Sequence, residues 1–389
     1  MYISRNDEFL IIFLIDFKEN FMKYYIIAGE ASGDLHGSNL IKALKNKNSN
    51  TNIRCWGGDK METAGATLVK HYRDLAFMGF TEVIKNLPAI LNNIKFCKKD
   101  ILSFAPDALI LIDYPGFNMR IAKWAKQKGI KIIYYISPQI WAWKEKRVHA
   151  IKRDVDKMLV ILPFEKDFYK KYNYEVDYVG HPLCEVINGW HKENSDIEKE
   201  DIVALLPGSR KQEILVKLPI MLTMAKRFPR YQFVVAKAPG IENSFYQEIL
   251  KPYTNVGSVS NATYLLLAKA KAALVTSGTA TLETALFKVP EIICYKGGKI
   301  SYEIAKRLIK IKFIGLVNLI MDKEVVKELI QDQLNENNLG IQLSSILNDR
   351  EHIAMMEKNY NKLATILQAG GHASENAATI INNFMQTTS

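Results

Sequence analysis

The sequence predicts an α/β protein of two doubly wound, Rossmann-like domains, and three observations carry that expectation. Short apolar runs alternate with helical segments from Tyr24 onwards, the pattern of a parallel sheet covered by helices on both faces. A strand, a Gly-containing turn and a helix start open the pattern at Tyr24–Asp34, and the same unit restarts at Asp201–Ile214 after a polar stretch from His191 to Asp201. The 389 residues exceed one ordinary core and suit two domains.

Taken in order, Tyr24–Ala28 is an apolar strand, followed by Gly29-Glu30-Ala31-Ser32-Gly33-Asp34 and a helix from about Asp34 to Lys45. Ile53–Trp56 leads into a second strand-to-helix turn at Gly57-Gly58-Asp59. Residues 82–104 read as helical, Ala108–Ile112 as a buried strand and Asn118–Lys128 as a helix, with strands at Lys131–Ile136 and Lys157–Leu162. In the second half strands are expected at Gln232–Ala236, Asn255–Val259, Ala272–Thr276 and Glu291–Tyr295, separated by helical segments, and residues 350–385 read as two helices. This gives a first domain over 22–190 and a second over 191–365, facing each other across a cleft, with the boundary within the charged residues 188–201. Met22-Lys23 directly precedes the first strand, so residues 1–21 are expected to stem from an upstream choice of start site rather than from the native chain; an amphipathic N-terminal anchor is the alternative.

The net charge of +11, from 52 basic and 41 acidic residues, suits an anionic membrane or a phosphorylated substrate. No helix-turn-helix, RNA-recognition or zinc-finger signature is present, so nucleic acid is not expected as a partner; much of the excess is scattered lysine, consistent also with a plainly solvated face. The longest N-terminal apolar run, Phe9–Phe17, contains Asp16 and falls short of a membrane span or a signal peptide. Cys55, Cys97, Cys184 and Cys294 lie far apart with no C-x-x-C pairing and read as reduced thiols of a cytosolic protein; neither a metal nor a cofactor is expected.

Ligands bind α/β sheets beyond the C-terminal ends of the strands, and several turns there carry chemistry. Ser277-Gly278-Thr279-Ala280-Thr281-Leu282-Glu283 follows an apolar strand and opens a helix, whose free amides and dipole suit a diphosphate. Gly278 permits close approach, Ser277, Thr279 and Thr281 offer hydroxyls, and Glu283 stands one turn in, able to accept from ribose hydroxyls. A capping box is the alternative, but three residues after Thr279 stands Leu282, not Glu or Gln. Leu206-Pro207-Gly208-Ser209-Arg210 is a second phosphate turn, with Arg210 placed to neutralise a departing diphosphate or, alternatively, to pair with Glu213 on the surface.

Asp113, at a strand end in a turn with Tyr114, Pro115 and Phe117, is the expected general base; the alternative is a helix cap. Glu30 is the rival base, Ser32 a hydrogen-bond donor, and Gly29 and Gly33 free backbone amides for an anion, expected to be the acceptor's phosphate. Asp34 reads as the cap of the helix it opens. Ser137–Trp143, followed by Lys144, Lys146 and Arg147, joins stacking surface to cations, so Gln139, Trp141 and Trp143, with Asn118, are expected acceptor contacts unless both rings belong to the core. Phe77–Phe80 and the apolar face of residues 84–96 offer either an acyl-chain surface or core, and His181 either structure or chemistry.

The run Ile112–Arg147, GEASGD at Gly29–Asp34 and SGTATLE at Ser277–Glu283 together resemble the lipid-A-disaccharide synthases, bacterial glycosyltransferases acting on a sugar nucleotide and a lipid-linked sugar. The resemblance extends from about Lys23 to the last helix. It implies a B-type glycosyltransferase fold in which residues 366–389 form a helix crossing back to the first domain. It further implies inverting, metal-independent transfer of 2,3-diacylglucosamine from its UDP derivative to 2,3-diacylglucosamine 1-phosphate, by a peripheral enzyme on the cytoplasmic face of the inner membrane. By the same resemblance Arg210 belongs to the active site, and Asn318, Glu328 and Gln331 are donor contacts or, alternatively, structural hydrogen-bonding groups, although Val317 and Lys327 stand where the family tends to have proline and Gly116 where many members have a second aspartate. Another UDP-sugar enzyme, such as an epimerase, or a non-catalytic nucleotide-sugar or lipid-binding protein are the alternatives.

Overall fold

The computed structural model describes residues 21–75, 87–276, 278–298 and 312–387, and of Leu87 and Trp143 the backbone only. The chain divides into two compact units, one running to Pro182 and resuming at Gly370, the other spanning Leu183–Ala369. The division falls at the start of the helix Pro182–Glu193, ahead of the polar stretch His191–Asp201, because that stretch only links this helix to the next strand within the second unit.

The first unit holds a seven-stranded, all-parallel sheet: β1 (Lys23–Ala28), β2 (Asn52–Gly57), β3 (Thr67–His71), β4 (Ala108–Ile112), β5 (Lys131–Tyr135), β6 (Lys157–Val160) and β7 (Asp177–Tyr178), in the order β3-β2-β1-β4-β5-β6-β7. Central β4, Ala-Leu-Ile-Leu-Ile, is apolar throughout because both its faces are covered. Successive side chains take opposite faces. Ile26, Ile110 and Ile112 pack with the helix Ala31–Lys47 and with Ala377 and Ile381 of the last helix, Ala373–Thr387. Ile27, Leu109 and Leu111 pack with the helices Leu87–Phe104, Pro115–Gln127 and Val148–Asp154.

The second unit holds six parallel strands, β8 (Ile202–Leu206), β9 (Gln232–Lys237), β10 (Val256–Ser260), β11 (Ala272–Val275), β12 (Glu291–Tyr295) and β13 (Lys327–Ile330), in the order β10-β9-β8-β11-β12-β13. The expectation of two doubly wound sheets holds, and the structure adds the short or half-exposed strands β3, β7 and β13, which carry too little apolar run to be read from sequence. Two helix starts are corrected. The first helix begins at Ala31, not Asp34, and the helix expected from Asn118 begins at Pro115, whose fixed φ and missing N–H suit a first helical position.

Candidate active site

In the first sheet the strand order reverses between β1 and β4, and Ala28 lies opposite Ile112, so the turns after the two strands share one crevice at the sheet's C-terminal edge. Asp113 and Tyr114 both adopt left-handed backbone, φ +42° and +49°. That conformation costs roughly 1–2 kcal/mol per residue for non-glycine residues. It is held by two hydrogen bonds to the Asp113 carbonyl, from Asn118 Nδ2 at 2.7 Å and the Tyr134 hydroxyl at 2.6 Å, while Asn118 Nδ2 also reaches Ile112 O at 3.2 Å. Asn118 and Tyr134 are fully buried. Asn118, expected to touch the acceptor, is therefore corrected to a brace of the Asp113 turn, and Tyr134 is a brace that sequence reasoning missed.

Gly29 has no side chain because the Tyr114 ring takes its place: a Cβ there would lie 2.3 Å from Tyr114 Cγ. Burial first, and then the Glu30 carboxylate, push the Asp113 carboxyl up to about 6, against the opposing Tyr114 backbone N–H. Glu30 stands at the start of the helix Ala31–Lys47 with no capping bond from its side chain, Ser32 is exposed in the first turn, and a Cβ on Gly33 would lie 3.0 Å from Ala28 Cβ. Asp34 caps a different helix from the one expected. Its carboxylate accepts from Gly58 N at 2.8 Å and Met61 N at 3.0 Å, fixing the start of the helix Asp59–Thr63.

The loop after β5 brings Gln139, exposed, and Trp141, half-buried, to the same edge. Trp141 stands edge-on to Phe164 and donates from Nε1 to Glu165 Oε1 at 3.3 Å. Glu165 is buried, accepts from Leu162 N at 2.9 Å and Ile161 N at 3.3 Å, and is pushed up to about 7 by burial. The Trp143 side chain, Phe77–Phe80 and residues 84–86 of the expected acyl surface lie outside the described residues. His181 and His36 are buried and pushed down to about 3 and about 4, chiefly by burial, so both stay neutral imidazoles, which supports a structural part for His181.

The second sheet repeats this geometry. Its order reverses between β8 and β11, and Leu206 lies opposite Val275, placing the Gly208 and Gly278 turns side by side. Gly208 and Gly278 have φ +116° and +122°, and a Cβ on Gly208 would sit 2.7 Å from Glu213 Oε2. Ser277 lies outside the described residues, and Ser209, Gly278 and Thr279 are exposed. Gly278 caps the helix Thr279–Leu286, and its carbonyl accepts the Thr281 hydroxyl at 2.8 Å. Thr281 is fully buried, so this hydroxyl, expected to meet the diphosphate, instead fixes the turn. Glu283 accepts from the Tyr264 hydroxyl at 3.1 Å and is pushed up by burial. Arg210, exposed, directly precedes the helix Lys211–Arg227 and stands 3.4 Å from Glu213 Oε1.

A second cation, absent from the sequence reading, lies beneath these turns. Lys217 is 2% exposed, its Nζ 2.5 Å from Thr276 Oγ1 and 3.6 Å from Glu213 Oε2. It links the end of β11 to the carboxylate under Gly208, and burial pulls its ammonium below the ordinary value. Asn318 is buried with its amide engaged by Val325 N, Val326 N, Val326 O and Glu328 Oε1, at 2.7–3.0 Å. Glu328 accepts from Ile314 N at 2.9 Å and Gly315 N at 3.0 Å. Asn318 thus ties the helix Leu316–Met321 to the segment after it and Glu328 holds the residues before it, the structural bonding that was the alternative to donor contact. Gln331 follows β13 with φ +54° and accepts from Gly297 N at 3.4 Å, at the same sheet edge as the Gly208 and Gly278 turns. Among the described residues no group of three or more His, Cys, Asp or Glu is placed to hold a metal ion, and no helix is long and apolar enough to cross a membrane.

Residues 24–383 match the family model described as lipid-A-disaccharide synthetase. The chain belongs to the lipid-A-disaccharide synthetase family. It is 39% identical over 367 residues to the lipid-A-disaccharide synthase of Syntrophus aciditrophicus, covering 91% of this chain and 96% of that one. To lipid-A-disaccharide synthase 1 of Legionella pneumophila it is 38% identical, covering 90% and 94%. Solved structures of similar fold include the UDP-GlcNAc 2-epimerase of Neisseria meningitidis bound to UDP-GlcNAc and the glycotransferase of kitacinnamycin. Each has TM-score 0.64 and 14% identity; the epimerase covers 94% of this chain and 100% of its own, the glycotransferase 94% and 99%. These likenesses concern the fold alone: two Rossmann-like sheets of the B type. Membership of the lipid-A-disaccharide synthetase family makes the chain a glycosyltransferase and sets aside the epimerase and binding-protein alternatives.

Proposed function

We propose that this lipid-A-disaccharide synthase uses Asp113 as general base and the Gly208 and Gly278 turns as its donor diphosphate site. The reaction is transfer of 2,3-diacylglucosamine from its UDP derivative to the 6-hydroxyl of 2,3-diacylglucosamine 1-phosphate, giving the β-1,6 disaccharide 1-phosphate and UDP. Asp113 takes the hydroxyl proton, the freed oxygen forms the new bond to the anomeric carbon, and the bond from that carbon to the diphosphate breaks on the opposite face, inverting the centre. Charge developing on UDP meets Arg210 and the unpaired amides that open the helix Thr279–Leu286. Lys217 holds the two turns in register through Thr276 and Glu213. Glu283 and Gln331 serve the nucleoside end. The net charge of +11 and the anionic, lipid-bearing substrates support a peripheral position on the cytoplasmic face of the inner membrane.

The observation that carries the reading is Asp113 on a braced left-handed turn at the reversal of strand order, its carboxyl raised to about 6. A base near the working pH can both accept a proton and lose it again. The test is radiolabelled sugar transfer between the two acylated glucosamines by wild type and Asp113→Asn. A fall of about 10²–10⁴-fold in turnover with UDP binding retained supports the assignment; turnover within a few fold of wild type overturns it.

A further inference from the structure

Beside the Asp113 turn, within the first unit, lies a cavity of about 340 Å³. Its inner wall is apolar, from Met119, Ile140 and Ile151, and Pro115 and Gly116 of the Asp113 turn form one rim. A Cβ on Gly116 would meet nothing within 4 Å, so this rim is open. Arg120, Lys123, Arg147 and Arg153 surround the mouth with exposed head groups, against the single carboxylate Asp154. Asp154 is buried and held by Arg153 at 2.6 Å and 2.7 Å, and Arg120 donates to the Gly116 carbonyl. Lys123 and Arg147 enter no ion pair among the described residues. Apolar walls beside two cations in no ion pair, Lys123 and Arg147, suit an amphiphilic anion.

We propose that this cavity binds the 1-phosphate of the acylated glucosamine acceptor, with Lys123 and Arg147 as its ligands and the apolar wall against the first carbons of an acyl chain. The inference rests on the transferase reading above and replaces the expectation that the Gly29–Gly33 turn receives the phosphate. That turn is unsuited to an anion: the Glu30 and Asp113 carboxylates already repel one another there, and the Tyr114 ring fills the space in front of Gly29. A phosphate dianion would sharpen that repulsion, whereas the cavity, whose rim starts at Pro115 two residues after Asp113, offers Lys123 from the helix Pro115–Gln127 and Arg147 from the segment after Trp143. An acceptor spanning both would present its hydroxyl end to Asp113 and its phosphate end to Arg147. The cavity thereby becomes a specificity site, selecting acceptors that carry a phosphate.

The experiment compares wild type with Lys123→Met/Arg147→Met in detergent micelles, using acylated glucosamine 1-phosphate and the same lipid without its phosphate. Wild type is expected to favour the phosphorylated acceptor by about tenfold or more in kcat/KM, the worth of one or two charge-assisted contacts. In the variant the KM for that acceptor rises by about tenfold or more and the preference collapses, while the donor KM and the melting temperature stay at wild-type values. No preference in wild type, or a parallel loss for both acceptors, overturns the proposal. A second arm measures sedimentation with phosphatidylglycerol vesicles. Loss of vesicle binding with an unchanged acceptor KM in micelles assigns these cations to membrane headgroups and also overturns it. Absence of any transfer by wild type would instead refute the transferase reading itself.

Discussion

Replacing Glu30 with glutamine separates the two candidate bases and measures how Asp113 is tuned. Burial is the larger cause of the rise of the Asp113 carboxyl to about 6 and the Glu30 charge the smaller. A carboxylate base loses activity as pH falls and it takes up its proton, so kcat/KM should decline through about pH 6 in wild type. Glutamine keeps the size of Glu30 and removes its charge, which lowers the Asp113 value and moves the acid limb to lower pH. Burial being the larger cause, the limb moves by less than the whole rise from 3.8 to about 6. Well below the limb each pH unit of that move reads as about tenfold more activity at a fixed acidic pH, each enzyme being scaled to its own plateau. His36 and His181, pushed down to about 4 and about 3, do not titrate near this limb. Glu165, pushed up to about 7, does, and Tyr134, whose hydroxyl meets the Asp113 carbonyl, stays protonated throughout. The assay is the pH dependence of kcat/KM for disaccharide formation by wild type, Glu30→Gln and Glu165→Gln. A limb unmoved in Glu30→Gln but shifted in Glu165→Gln refutes the reasoning. Collapse of the Glu30→Gln plateau by about 10²-fold or more would make Glu30 the base.

Four further outcomes follow from the same geometry. Tyr134→Phe removes a buried donor from the Asp113 carbonyl and should cost about 1 kcal/mol in urea unfolding while lowering kcat more than it raises KM. Gly29→Ala drives a Cβ into the Tyr114 ring, so turnover should fall with UDP affinity, read by calorimetry, unchanged. Lys217→Met frees Thr276 and Glu213 beneath the donor turns and should raise the donor KM by about tenfold or more with the acceptor KM unmoved. Glu291 is fully buried on β12 with neither carboxylate oxygen hydrogen-bonded among the described residues, and burial pushes its carboxyl well above 4.5. The folded state therefore keeps its proton when the unfolded chain has lost it, a contribution complete below pH 4.5 and lost as pH rises toward the folded value. Glu291→Gln should accordingly melt higher than wild type at neutral pH, and the gap should narrow on acidification.

What was legible in the sequence was local. A strand, a glycine and a helix start are contiguous in the chain, so the Gly29, Gly208 and Gly278 turns and the Asp113 strand end could be read directly, and the order of apolar runs sufficed for two doubly wound sheets. Lys217 was missed because its partner comes from elsewhere in the fold, and Asn118 was misread although the Ile112 and Asp113 carbonyls it holds stand just before it in the chain. Lys217 lies on the buried face of its helix, with Ile214, Leu218 and Met221 as neighbours at helical spacing. Asn118 likewise shares its stripe with Ile121, Ala122 and Ala125. A polar residue on an apolar stripe is costly unless it finds a partner, and that misfit was visible in the sequence. Which partner it finds was not, since Thr276 lies 59 residues from Lys217 and becomes its neighbour only through the pairing of β8 with β11.

The same reasoning explains why Asn318 and Glu328 read as ligand contacts and are braces. An Asn and a Glu on either side of a loop have the chemistry to hold a nucleotide, but the loop's own backbone offers donors at closer range. Val325 N, Val326 N, Ile314 N and Gly315 N occupy the side-chain oxygens first, and the Asn318 amide N–H groups are engaged by Val326 O and Glu328 itself. Such a network fixes the shape of the chain around the helix Leu316–Met321. On the donor site proposed above, exposed Arg210 and Thr279 and half-exposed Gln331 are the side chains that would face the donor. Burial alone does not draw this line: Asn318 is fully buried, but Glu328 is half-buried like Gln331, and it is the backbone donors its oxygens meet that mark it as a brace.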